Sequence, residues 1–178
     1  DQLVINNALP NLDVVFAIDR AGIVGEDGVT HHGVFDMAAF GAVPGLTIAA
    51  PMDELELRNM MYTGLQYGHP FMIRYPRGNG AGRLWRGVPF EALPVGRGRR
   101  LREGTDVALV TVGTVGNAAA RAAERAAEKG VSVAHYDLRF VKPLDEALLA
   151  EVGAKFRHVV TVEDGSLRGG VGEAVTAF

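Results

Sequence analysis

Short apolar runs, each closing on a polar loop that carries Gly or Pro, constrain this 178-residue chain more than any other feature. Val14-Val15-Phe16-Ala17-Ile18 ends at Asp19. Leu46-Thr47-Ile48-Ala49-Ala50 is stopped by Pro51, and Phe71-Met72-Ile73-Arg74 runs straight into Tyr75-Pro76-Arg77-Gly78-Asn79-Gly80. Runs of this length without strict polar alternation read as parallel strands covered on both faces. Helical signals stand between them. Asp53 is placed to cap a helix, with Glu56 three residues later completing a box-like pattern. Leu57, Met60, Met61 and Leu65 then form an apolar stripe at helical spacing.

The alternation resumes after residue 104. Val107 to Val112 reads as a strand. A helix opens at Thr114 or Gly116 and runs through Lys129, its seven alanines favouring helicity and Gly130 supplying the stop. Val131 to Tyr136 is the next strand, Leu144 to about Glu151 a helix, and His158 to Val162 a strand. Gly169-Gly170-Val171-Gly172 opens a last helix. Strand–helix alternation of this kind specifies an α/β chain with two parallel-sheet domains covered by helices. The expected division is 1–80, a connector rich in Arg, Gly and Pro over 81–104 with room for one short strand, and 105–178.

Composition removes several classes. There is no cysteine, so no disulfide scaffold is open to the chain. No run of about 18 apolar residues exists, so no membrane-spanning helix is expected. Asp1-Gln2-Leu3 is not followed by a secretory signal pattern, and there is no starting Met, so the chain reads as part of something longer. The net charge of −3 is unevenly spread: eight arginines and one acid, Glu91, lie between Arg74 and Arg102. That stretch is either an anion site or a solvated linker whose arginines pair with the acidic remainder. With few aromatics interleaved and a pI near 6.0, nucleic acid is not the expected partner.

The loop from Asp19 to Gly33 carries the most chemistry. It leaves the C-terminal end of a strand, where ligands sit in open α/β sheets. Arg20 can fork two hydrogen bonds onto a phosphate or carboxylate. His31 can move a proton near pH 7, and Asp27 can accept from a hydroxyl or orient an imidazole. An ordinary surface loop with a local Arg–Asp pair is the competing reading. Arg74 and Arg77, at i and i+3 around Pro76, make a second candidate anion clamp, against a plain boundary turn. Neighbouring His31 and His32 point apart, so no metal site is expected. His69, His135 and His158 read as turn or packing histidines. Glu163-Asp164-Gly165 and Gly169-Gly170-Val171-Gly172 only loosely resemble a phosphate cradle and read as packing. No Gly-x-Ser-x-Gly elbow is present.

At Phe16-Ala17-Ile18-Asp19-Arg20-Ala21-Gly22-Ile23-Val24-Gly25-Glu26-Asp27-Gly28 with Thr30-His31-His32-Gly33, the chain resembles the 1-deoxy-D-xylulose-5-phosphate synthases. Arg74-Tyr75-Pro76-Arg77-Gly78-Asn79 is similar to that family's second signature. Phe140-Val141-Lys142-Pro143-Leu144-Asp145, Glu163-Asp164-Gly165 and Gly169-Gly170 resemble its C-terminal domain, a stretch shared with transketolases and the β subunits of 2-oxoacid dehydrogenases. The resemblance implies the last part of a transketolase-type pyrimidine-binding domain followed by a C-terminal domain. It implies an enzyme, homodimeric and cytoplasmic or plastid-borne, that uses thiamine diphosphate and Mg²⁺. That enzyme condenses pyruvate, after decarboxylation, with glyceraldehyde 3-phosphate for isoprenoid, thiamine and pyridoxal precursors. Arg20 and Arg77 match the family's phosphate-holding arginines, and Asp27 and His31 match residues contacting acceptor or intermediate. The family's Gly-Asp-Gly and ylid-promoting glutamate have no counterpart here, so cofactor-binding and metal residues are expected upstream and the chain alone is expected to be inactive. The alternatives are a 2-oxoacid dehydrogenase β subunit or a transketolase, which share the implied fold, and, of another class, a non-catalytic anion-binding or dimerisation module.

Overall fold

The computed structural model describes all of residues 1–178. Eight strands and five α-helices follow in the order β1 (Val15–Ile18), α1 (Asp36–Gly41), β2 (Thr47–Ala49), α2 (Glu54–Tyr67), β3 (Phe71–Arg74), β4 (Arg99–Arg102), β5 (Val107–Thr111), α3 (Val115–Ala127), β6 (Val133–Asp137), β7 (Phe140–Lys142), α4 (Glu146–Lys155), β8 (Val159–Val162) and α5 (Val171–Ala177). A π-helical turn at Val4–Ala8 and a 3-10 turn at Val29–His31 complete the regular structure.

Two four-stranded sheets form, ordered β1-β3-β2-β7 and β4-β6-β5-β8. Each has three parallel strands and one antiparallel edge strand. In the first, Val15 and Thr47 both stand opposite Phe71, while β7 runs antiparallel to β2. In the second, Val107 faces Val133, Ala108 faces Val159, and β4 runs antiparallel to β6. The sheets are therefore mixed rather than wholly parallel. The short β4 and β7 segments escape periodicity because three or four residues set no period. β7 follows β6 after only Leu138 and Arg139, so the chain steps from one sheet into the other within two residues.

The expected strands form where apolar runs stand, but not all are covered on both faces. β3, in the middle of its sheet, is buried throughout. β1 lies at the outer edge and exposes Ala17, and β8 leaves Val159 and Val160 exposed. The apolar runs mark parallel pairing here, and strand order decides burial. The largest buried cluster joins Ala108, Val110, Ala134, Tyr136 and Phe156 of the second half to Met37 and Ala50 of the first. A second gathers Ala49, Met60, Phe71, Ile73, Leu93 and Phe140. Each fully buried Met or Phe there contributes roughly 1.5–3 kcal/mol.

Helix α2 departs from the expected stripe. The Asp53 carboxylate accepts from the Glu56 amide at 2.9 Å, so the cap forms. The Glu56 side chain does not return to Asp53. It accepts from Arg99 at 3.0 Å and from Arg139 at 2.9 Å. Met60 is buried, but Met61 and Leu65 are 43% and 71% exposed, while Glu56, Asn59 and Thr63 lie inside. The reason is the segment after β3. It lies along α2 and covers its polar face: Arg58 donates to the carbonyls of Trp85, Val88 and Pro89 at 2.6–2.8 Å, and Thr63 Oγ1 accepts from the Leu93 amide at 2.8 Å.

Candidate anion site

The loop after β1 is closed at its neck. Gly22 and Gly33 exchange two backbone hydrogen bonds, of 3.0 and 2.9 Å. A Cβ at Gly33 would collide with the Arg20 carbonyl, so only glycine lets the two strands of the neck approach. Inside the loop His32 Nδ1 accepts from the Val24 amide at 2.9 Å. His32 thus holds loop shape, while His31 is exposed and its Nδ1 lies 3.1 Å from Thr30 Oγ1. The neck is tied to the arm after β3 by the Ala21 amide, which donates to the Tyr75 carbonyl at 3.0 Å.

That tie brings two strand ends together. Arg20 Nε donates to Asp27 Oδ2 at 2.8 Å, and Arg77 Nη1 donates to Asp27 Oδ1 at 2.6 Å. Arg20 and Arg77, 57 positions apart, therefore grip the two oxygens of one carboxylate. Asp19 pairs with Arg20, and Glu26 stands 3.3 Å from Arg77. The hydrogen bond from Arg20, with the nearby charges of Arg77 and His31, holds the Asp27 carboxyl below its usual range despite some burial. Arg20 adopts φ 60°, a left-handed conformation costly for a non-glycine residue. His31 stands on the same loop, with Thr30 as its hydrogen-bond neighbour, and its charge is the smallest of the influences on Asp27.

Arg74 does not join them. Its side chain is 2% exposed, with Nε donating to Asp36 and Nη1 to Asp164, both at 2.7 Å. Burial would push its guanidinium down, yet Asp164 and Asp36 hold it above its ordinary value, so it stays charged. The clamp of Arg74 with Arg77 is thus corrected. β3 is central, its last side chain turns inward, and only Arg77 beyond Pro76 reaches the loop. The basic stretch likewise resolves in part into ion pairs, with Arg97 on Asp145, Arg99 on Glu56 and Asp137, and Arg100 on Glu103 and Glu151.

A cleft of about 550 Å³ opens beside the arm after β3, lined among others by Tyr75, Asn79, Thr114, Asn117 and Arg121, and includes none of the four residues. Its carboxylates are engaged: Asp53 caps α2, and Glu54 accepts from the Gly82 and Arg83 amides. No three His, Asp or Glu side chains gather within metal-binding reach. The two carboxylates of the cleft are thus committed to backbone amides rather than free to hold a cation.

Sequence reasoning missed Asp36, Asp164 and the Glu56–Arg99–Asp137–Arg139 network, all joined across 38 to 90 residues. No local spacing signals such pairs.

Family models match the chain in two stretches: "Transketolase, pyrimidine binding domain" over residues 1–82 and "Transketolase, C-terminal domain" over residues 96–178. Curated relatives named 1-deoxy-D-xylulose-5-phosphate synthase include those of Bacteroides fragilis, 58% identical over 180 residues, and Bacteroides thetaiotaomicron, 55% identical over 180. The Parabacteroides distasonis relative of the same name is 49% identical over 179 residues. Each match takes in 100% of this chain but 28% of the relative, so the chain spans little more than a quarter of their length. A solved structure, a split gene transketolase as an inactive β4 tetramer, superposes with a TM-score of 0.86 at 29% identity, covering 99% of this chain and 56% of that one. On two linked α/β sheets the chain thus carries, in sequence order, the pyrimidine-binding and C-terminal domains of the transketolases.

Proposed function

We propose that this chain is the phosphate-recognising part of a 1-deoxy-D-xylulose-5-phosphate synthase. Its organisation would be a pyrimidine-binding part over 1–80, a connector over 81–104 and a C-terminal part over 105–178. The carrying observation is the convergence of Arg20 and Arg77 on both oxygens of Asp27. Two guanidinium groups that span one carboxylate also span two oxygens of a phosphate, the geometry for which arginine is suited.

In this reading Arg20 and Arg77 bind the phosphate of glyceraldehyde 3-phosphate. Asp27 orients both guanidiniums and accepts from a substrate hydroxyl through its remaining lone pairs. His31 gives a proton to the acceptor's carbonyl oxygen as that oxygen becomes an alcohol. Thiamine diphosphate, with Mg²⁺, supplies the carbanion chemistry on pyruvate from residues outside this chain. The intact protein would be a cytoplasmic homodimer. The split gene neighbour's inactive β4 tetramer supports the reading that this chain alone does not turn over.

The test is Arg77→Ala in the full-length enzyme. Loss of a charge-assisted contact of about 1.5–3 kcal/mol should lower kcat/KM for glyceraldehyde 3-phosphate by roughly 10- to 100-fold, mainly through KM. An unchanged KM for that substrate would sink the assignment.

A further inference from the structure

The second half of the chain reaches the anion site through one side chain. Asp164 lies just beyond β8. Its Oδ1 accepts from Arg74 Nη1 at 2.7 Å, and its Oδ2 stands directly over Gly22. A Cβ built on Gly22 would lie 2.5 Å from that oxygen and 2.8 Å from the carboxyl carbon, so the carboxylate rests on bare backbone. Gly22 has φ +77° and forms half of the loop neck with Gly33. The loop beyond that neck carries Asp27 and His31, and Arg20 precedes it. The next residue, Ala21, links it to the arm that bears Arg77. Arg74 is itself fixed by Asp36, so one oxygen of Asp164 is anchored and the other sets the height of the neck.

We propose that Asp164 is a positioning residue for the anion site, holding the Gly22–Gly33 neck where Arg20 and Arg77 meet. The proposal rests on the phosphate-binding reading of that site. Asp164 touches no substrate in this scheme. It acts through Gly22, and a small displacement of the neck changes the separation of two guanidiniums that must span one phosphate. Misplacement on the scale of an ångström costs one to two orders of magnitude where geometry sets binding.

Asp164→Asn keeps the shape and removes the charge that anchors the carboxyl group to Arg74. In the full-length enzyme it should raise KM for glyceraldehyde 3-phosphate by about tenfold and leave KM for pyruvate within about twofold. Gly22→Ala puts a methyl group into the same contact from the opposite side and should give the same selective rise. The double variant should lose less than the two single losses combined, because both act at one contact. Inorganic phosphate, titrated calorimetrically into the same proteins, should weaken in the same order without any turnover. A loss confined to neither substrate, or full additivity of the two changes, overturns the role. If Arg77→Ala also leaves phosphate binding untouched, the reading of the site itself has failed. If Arg77→Ala weakens phosphate and Asp164→Asn does not, only the positioning role falls.

Discussion

Asp27 is held by two arginines that come from different strand ends, and the contact depends on the two glycines of the loop neck as well as on charge. Gly33 lets the Arg20 carbonyl pass where a side chain would stand. Gly33→Ala should therefore force the neck open, destabilising the protein by about 1–3 kcal/mol and weakening inorganic phosphate binding. Urea unfolding and a phosphate titration check the two effects, and a variant with both unchanged would contradict the account of the neck. The candidate residues themselves were legible from sequence, because Arg20, Asp27 and His31 share one loop after an apolar run. Arg77 was legible because Pro76 ends the strand before it. Arg74 was misread. Two arginines at i and i+3 look alike on paper, and only the central place of β3 turns the first toward Asp36 and Asp164.

At the scale of an element, α2 is the instructive case. Its apolar stripe predicted a face of Leu57, Met60, Met61 and Leu65. The protein instead buries Asn59, Met60 and Thr63 and leaves Met61 and Leu65 in the open. Asn59 and Thr63 provide acceptors for the otherwise unpaired amides of Glu91 and Leu93 in a segment without regular structure of its own. Thr63→Val, nearly the same in size, would leave the Leu93 amide buried without an acceptor. It should cost about 1–3 kcal/mol in urea unfolding. A loss below about 0.5 kcal/mol would mean that water satisfies the amide. The cap at Asp53 was legible since capping is local, whereas the partner of the helix's polar face lies some thirty residues downstream.

Across the whole molecule, the two halves meet at a buried network. Glu56 of the first half accepts from Arg99 and Arg139, and Arg99 also pairs with Asp137, which is 0% exposed. Burial pushes the Asp137 carboxyl from 3.8 up to about 6, against the pull of Arg99. The folded protein thus holds this proton more tightly than the unfolded chain. The resulting stabilisation is full below pH 3.8 and is lost as pH rises through about 6. Compared with Asp137→Asn, which cannot titrate, the native protein should lose roughly 2 kcal/mol between pH 4 and pH 7. Urea unfolding at several pH values checks this, and parallel curves for the two proteins would refute it. The second link between the halves is β7, which leaves the second sheet after two residues and hydrogen-bonds to β2 in the first. Besides the β2–β7 ladder, the buried ion pairs of Glu56 with Arg99 and Arg139 resist displacement of one half against the other. Between the two strand ends that bear Arg20 and Arg77, the small loop gathered at Gly22 and Gly33 is pinned by just two backbone hydrogen bonds and is the natural place for adjustment.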